Sequence, residues 1–339
     1  MPLKFGLWYD FRNPPRRQQP ADRLYAETFE HIQQAEALGF DDIWTSEHHF
    51  VEDGYSPSLL PICAAIATRT SRVTIGTNIL LLPLHDPIRI AEDAATVDVI
   101  SSGRFIFGPA VGYKADEFEA LGKAYHRRGR ITDEAIAVIK QAWTEDTFSF
   151  SGRHFHYENL RVTPKPVQRP HPPIWFGGFS EPAIRRAARE GDGVLLAGAG
   201  ATLIAAYRDA LREAGRPEEA ERPHIAAGTR WTAVVEDPDE AWADLGEFAL
   251  HRAQQYQQWF SAAGMSVAGQ TPPHSVADLR ARSPQMFVTP EQAVASLRET
   301  LAVAPIERVF WWAIFPGQRP RDAVRSMELV ARQVMPAFR

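Results

Sequence analysis

Glu47, His48 and His49 stand side by side, directly after the apolar run of residues 40–44. Two imidazoles and a carboxylate in that position make a poor core and a good place to move protons, because an unperturbed imidazole titrates close to neutral pH. The same residues also read as loop groups that satisfy backbone carbonyls. A metal reading would draw on His85 and Asp86. Adjacent histidines fit badly around one ion, however, and no Cys/His spacing of a structural site occurs, so no metal is expected.

A second group is Gly177-Gly178-Phe179-Ser180-Glu181-Pro182. Two glycines after an apolar run let the backbone approach a ligand closely, and Ser180 followed by Pro182 marks a helix start. The free N–H groups of such a start suit a phosphate. A tight turn that uses glycine for geometry alone explains the same residues. The G-x-G-x-x-G spacing is absent, so this is not a dinucleotide fingerprint. Arg128, between Arg127 and Arg130, is either a phosphate clamp or part of a solvated cluster. Asn78 offers an amide that faces a ligand edge or caps a turn. Gly112-Tyr113 offers close backbone approach with a ring and hydroxyl, or a tyrosine packed under a loop. Among the aromatic residues near strand ends, Trp8 and Phe50 are assigned to a substrate wall; Tyr9, Trp231, Trp311 and Trp312 read more simply as core.

These residues need a scaffold that brings distant strand ends together. Strands are expected at residues 4–9, 40–44, 73–77, 104–108, 174–176, 193–196, 229–235 and 308–312, with helical periodicity in between. Leu24, Thr28, Ile32 and Ala35 share one helix face, which Gly39 ends; Ile131, Ala135, Ile139 and Ala142 share another. Alternation of this kind predicts an α/β fold, a (β/α)8 barrel forming a single domain over residues 1–339. Residues 163–173, with five prolines, read as an extended excursion, and residues 261–290 as a mobile, lid-like insertion before the last helices.

Composition narrows the class. With 37 basic against 42 acidic residues among 339, the net charge is −5 and no basic stripe invites nucleic acid. The single cysteine, Cys63, excludes an internal disulfide framework. No apolar run reaches the length of a membrane span and no leader opens the chain, so a cytoplasmic protein is expected.

Several segments together resemble the bacterial luciferase-like flavin-dependent monooxygenases. They are residues 39–50, 76–79, 98–108, 112–118, 128–134, 164–168 and 172–180. Each is weak alone; their order and spacing are specific. The resemblance implies a (β/α)8 barrel with reduced FMN, or the deazaflavin F420, at the carboxyl end of the strands. FMN members form a peroxyflavin with O2 and oxygenate a small, largely apolar substrate. It further implies that His48 is the catalytic imidazole and that Asn78 precedes a non-proline cis peptide bond, where residues alone favour trans. Tyr113, Arg128 and Gly177 to Ser180 would then contact the cofactor. A separate NAD(P)H:flavin reductase and a homodimer are implied as well. Ala110 stands where luciferase proper has a reactive cysteine, which argues against light emission. Hydride transfer with F420, a non-catalytic flavin-binding barrel and a metal-dependent hydrolase are the rival expectations.

Overall fold

The computed structural model describes residues 2–198, 200–265 and 271–339. Eight parallel strands form one sheet: β1 (Lys4–Tyr9), β2 (Asp42–Thr45), β3 (Thr74–Thr77), β4 (Phe105–Ile106), β5 (Trp175–Gly177), β6 (Gly193–Leu196), β7 (Ile225–Gly228) and β8 (Arg308–Trp312). Their spatial order is β4-β3-β2-β1-β8-β7-β6-β5. The two edges meet just past β4. There Phe107 N–H donates to Pro173 O and Trp175 N–H to Phe107 O, both at 2.9 Å, which closes the sheet into a barrel. Helices Ala21–Ala37, Leu59–Ala67, Pro87–Ile100, Arg128–Thr144, Glu181–Glu190 and Ala201–Glu213 each join two successive strands, and Pro238–Ala262 and Pro290–Val303 both lie between β7 and β8.

Packing inside the cylinder decides where empty space can exist. Trp44, Ile106, Trp175, Leu195 and Phe310 fill the interior as one buried cluster. Glycines on the flanking strands make room for the largest rings. A β-carbon at Gly76 would lie 2.3 Å from the Trp44 ring, and one at Gly193 2.7 Å from Trp175. At the amino end, Asp42 of β2 and Arg308 of β8 form a buried ion pair, with the guanidinium 5.2 Å over the Trp175 ring. Burial outweighs Arg308 and pushes the Asp42 carboxyl up to about 6. The lower barrel is thus full, and an opening can form only at the carboxyl end.

Two sequence expectations need correction. The seventh barrel strand is Ile225–Gly228; only Ala233–Val234 of the expected residues 229–235 is strand, and it pairs outside the barrel with Phe287–Val288. Barrel strands beside Leu195 and Phe310 need small residues, and Ala226 and Gly228 supply them despite weak strand propensity. Residues 261–290 are also more regular than expected. They include a helix, Val276–Arg282, whose Leu279 joins Trp242 of the long helix Pro238–Ala262 in a buried cluster; residues 266–270 lie outside those described. The proline-rich excursion is extended, with cis bonds before Pro164 and Pro170. Buried Asp98 anchors it by accepting from Val167 N–H at 2.7 Å and Gln168 N–H at 3.0 Å. A hairpin, Phe148–Ser151 with His156–Leu160, precedes it and has no counterpart in the sequence reading.

No described helix is long and apolar enough to cross a membrane. The packing around Trp44 yields a stability prediction. Gly76→Ala should lower unfolding free energy by about 1–3 kcal/mol in urea titration, as overpacked cores do. Gly198→Ala, where a β-carbon meets nothing within 4 Å, should change it by less than about 0.5 kcal/mol. Equal effects would contradict the packing argument.

Candidate active site

A cavity of about 320 Å³ opens at the carboxyl end of the barrel. Trp8, His48, Asn78, Tyr113, Gly177, Gly178, Phe179 and Ser180 all line it, although they come from five separate stretches of chain. Three larger grooves, of about 360, 760 and 780 Å³, include none of the residues expected to be catalytic or to contact cofactor or substrate. Volume alone therefore misdirects, and the convergence of polar groups in an apolar wall is the better guide.

His48 is almost wholly buried, and its ring nitrogens have different partners. Nδ1 donates to Glu117 Oε1 at 2.9 Å, while Nε2 accepts from the Tyr113 hydroxyl at 3.2 Å on the cavity side. The Glu117 carboxylate fixes this tautomer. It also accepts from His49 N–H at 2.8 Å and lies 3.4 Å from Lys114 Nζ. Burial, the largest influence, pulls the His48 imidazole below its ordinary value against the pull of Glu117, so the ring enters the neutral range uncharged. Such a ring can take a proton at Nε2. Burial also raises the Tyr113 hydroxyl far above its ordinary value and keeps it a donor.

Behind this pair sits a second carboxylate. Glu47 Oε1 accepts from His49 Nε2 at 2.8 Å and His85 Nε2 at 2.7 Å, and Oε2 accepts from Leu81 N–H. Burial alone would raise this carboxyl, but the two imidazoles and the backbone donor hold it down at about 2. For His49, burial works against the charge and the Glu47 carboxylate overcomes it, raising the imidazole. One carboxylate oxygen and two ring nitrogens within 4.8 Å are also a donor set able to hold a metal ion. The hydrogen bonds given above already satisfy these donors and acceptors.

The opposite wall is a backbone cradle. The Asn78-Ile79 peptide is cis, and the buried Asn78 Nδ2 has no hydrogen-bond partner among the described residues. An amide donor left unspent beside an apolar cavity suits a ring carrying acceptor atoms. Gly177 packs directly on Ile79, where a β-carbon would come within 2.1 Å of the side chain; at Gly178 it would come within 2.3 Å of Ala183. Ser180 occupies the N-cap of helix Glu181–Glu190, but its hydroxyl makes no capping hydrogen bond.

Two expected residues lie elsewhere. Phe50 is exposed, with its ring 5.8 Å from His49, and does not line the cavity. Arg128 does not line it either. Its guanidinium donates to Gly112 O at 3.2 Å and Tyr125 O at 3.0 Å and stacks on the Tyr125 ring at 3.9 Å, so it holds the loop that carries Tyr113. The sequence reading also missed residues. Glu117 lies on the short helix Ala115–Ala120, and nothing in its local sequence marks a partner 69 residues away. Tyr256, Trp259 and Phe260 form the roof, with Trp259 4.8 Å from His48 and Phe260 5.2 Å from Tyr113. Their i, i+3, i+4 spacing at the end of a long helix was the available signal.

A family model described as luciferase-like monooxygenase matches residues 3–304. The oxygenase component of a flavin-dependent trigonelline monooxygenase from Acinetobacter baylyi is 27% identical, over 95% of this chain and 92% of its own. An F420-dependent glucose-6-phosphate dehydrogenase from Kineococcus radiotolerans is 33% identical, over 55% of this chain and 58% of its own. The crystal structure of monooxygenase RslO1 from Streptomyces bottropensis superposes with a TM-score of 0.83 at 25% identity, covering 99% of this chain and 100% of that one.

The Glu47 network makes stability depend on pH in a defined direction. A carboxyl held near 2 rather than 4.5 contributes about 3 kcal/mol above pH 4.5 and loses it as pH falls toward 2. The raised His49 contributes fully below 6.5 and loses its share as pH rises through its higher folded value. The gap in urea midpoint between wild type and Glu47→Gln should therefore be widest near pH 5–6 and narrow toward pH 3. A gap independent of pH would contradict the network.

Proposed function

Because the chain belongs to the luciferase-like monooxygenase family, we propose that it is the oxygenase of a two-component system. In this reading it takes reduced FMN and O2 and oxygenates a small, largely apolar organic substrate. One observation carries the reading: an apolar cavity at the barrel's carboxyl end sets the unspent Asn78 amide beside His48, whose proton is fixed by Glu117. In sequence, a flavin-dependent oxygenase component matches over 95% of this chain, which supports the FMN reading.

The residues present fit a flavin. Asn78 Nδ2 would supply a donor for its ring, and Gly177 and Gly178, by letting Ile79 and Ala183 pack against them, would set the wall beside it. The open N–H groups at Ser180 suit its phosphate. Reduced FMN, when bound, supplies the electrons that activate O2. The chain's own work is to exclude water and to manage protons. Trp8, Phe260 and Trp312 keep the cavity apolar. His48 Nε2 holds or delivers the proton, and Glu117 keeps Nδ1 protonated so that Nε2 stays available. Arg128 and Phe50 act from outside the cavity, the first by fixing the Gly112-Tyr113 loop.

Other parts of the reading follow. A separate NAD(P)H:flavin reductase supplies the reduced cofactor, since the chain carries no dinucleotide fingerprint. The protein is a single-domain cytoplasmic homodimer. Residues 261–290, continuing from the aromatic helix end, act as the lid. Reduced F420 is the alternative cofactor.

Anaerobic titration tests the reading. Reduced FMN should bind at least about tenfold more tightly than reduced F420, the reverse order favouring hydride transfer. His48→Ala should keep reduced-FMN affinity within about threefold and cut single-turnover substrate oxidation by roughly 100-fold or more, as loss of a positioned acid–base does. Unchanged oxidation in that variant would reject the role of His48.

A further inference from the structure

Three hydroxyls run in a line beside the cavity. Ser46 Oγ lies 2.6 Å from Tyr55 OH, and Tyr55 OH lies 2.8 Å from Tyr256 OH. All three residues line the cavity. The chain links them across 201 residues, from the loop after β2 to the roof helix Pro238–Ala262.

Three hydroxyls carry three protons, and two hydrogen bonds use two of them. No other hydrogen bond reaches the Ser46 Oγ or the Tyr256 hydroxyl among the described residues, so one proton is left unshared, and it is Tyr256's when Ser46 donates to Tyr55 and Tyr55 to Tyr256. Burial pushes the Tyr256 hydroxyl up to about 12, which keeps that proton on oxygen. Ser46 is buried, whereas Tyr256 is only partly so and is the more open end of the line.

Charge behind the line gives it a polarity. Arg12 is buried, with its guanidinium 5.3 Å from the Tyr55 ring and 6.0 Å from the Tyr256 ring. Asp53 bonds its Nε at 2.6 Å, but Nη1 and Nη2 have no hydrogen-bond partner among the described residues. The guanidinium strengthens the neighbouring hydroxyls as donors, while the paired Asp53 and the nearby Asp10 carboxylates offset part of its charge. In front of Tyr256 lie flat faces: Trp312 at 5.8 Å, itself stacked on Trp8 at 4.0 Å, and Phe260 at 6.0 Å.

We propose that the Tyr55–Tyr256 hydroxyl pair, backed by Arg12, is the substrate-orienting site, donating from Tyr256 to a carbonyl or carboxylate oxygen on a planar, apolar substrate. The proposal rests on the reading of this cavity as a flavin and substrate site. It narrows the substrate class from apolar compounds in general to those with an acceptor oxygen beside an unsaturated body. Tyr256 is thus a specificity residue, since it holds one end of the substrate while His48 serves the reacting end.

The test compares three probes of similar shape: ethylbenzene, acetophenone and benzoate. Calorimetric titration is run anaerobically, with and without saturating reduced FMN. Wild type should bind acetophenone and benzoate about tenfold or more tightly than ethylbenzene. Tyr256→Phe, which keeps the ring, should lower affinity for the two oxygenated probes by about 5–10-fold and leave ethylbenzene unchanged, the signature of one lost hydrogen bond. Tyr55→Phe, which removes only the relay, should give a smaller loss with the same selectivity. Equal binding of all three probes, no binding of any, or an equal loss for all in Tyr256→Phe would overturn the proposal. Probe preference without uptake of reduced FMN would overturn the flavin reading and leave this site standing.

Discussion

The barrel interior is full, and the site depends on that. Trp44 spans the cylinder because Gly6 and Gly76 leave space on the strands to either side. With Trp175 and Phe310 beside it and the Asp42–Arg308 pair at the amino end, no ligand-sized space remains below the strand tips. Free volume is displaced to the carboxyl end, where β1 to β5 deliver their tips and following loops. An overpacked or underpacked layer at Trp44 would shift all of these loops at once, since close-packed interiors transmit strain.

Above that floor, buried charge is tolerated because it is paired. Glu117 and Glu47 are both out of water, and each is held by histidine and backbone donors. The two carboxylates have different tasks. Glu47 locks the loop after β2 to the Leu81 and His85 segment, so it fixes the frame. Glu117 reaches His48 alone among the cavity residues and decides which ring nitrogen is free. The roof helix adds aromatic cover and brings Tyr256 to the hydroxyl line. The His48–Glu117 pair, the Glu47 frame and the aromatic roof are therefore separate but touching sets of residues.

Much of this was legible in the chain. Alternating apolar runs and helical faces placed seven of the eight barrel strands within a few residues, and β1, β6 and β8 with the same bounds. The miss at β7 has a physical cause: Trp231, Thr232, Val234 and Val235 have the side chains that strands favour, yet the barrel at that position needed Ala226 and Gly228. The site was partly legible because glycine pairs, a strand-end amide and a Glu-His-His run are local signals. Glu117 and Tyr256 are not local: each matters only through a partner 69 or 201 residues distant. Arg128 and Phe50 show the converse, since residue type suggested contact with a ligand and the fold turned both side chains away from the cavity.

The central claim is that this cavity, rather than a larger outer groove, holds the reduced flavin ring between Asn78 and His48. A crystal structure of the anaerobic complex with reduced FMN tests it most directly. The account predicts the ring in the 320 Å³ cavity, an Asn78 Nδ2 hydrogen bond to it of about 3 Å, and His48 Nε2 facing its reactive side. A flavin seated in an outer groove, or a ring in the cavity with His48 turned from it, would contradict the account.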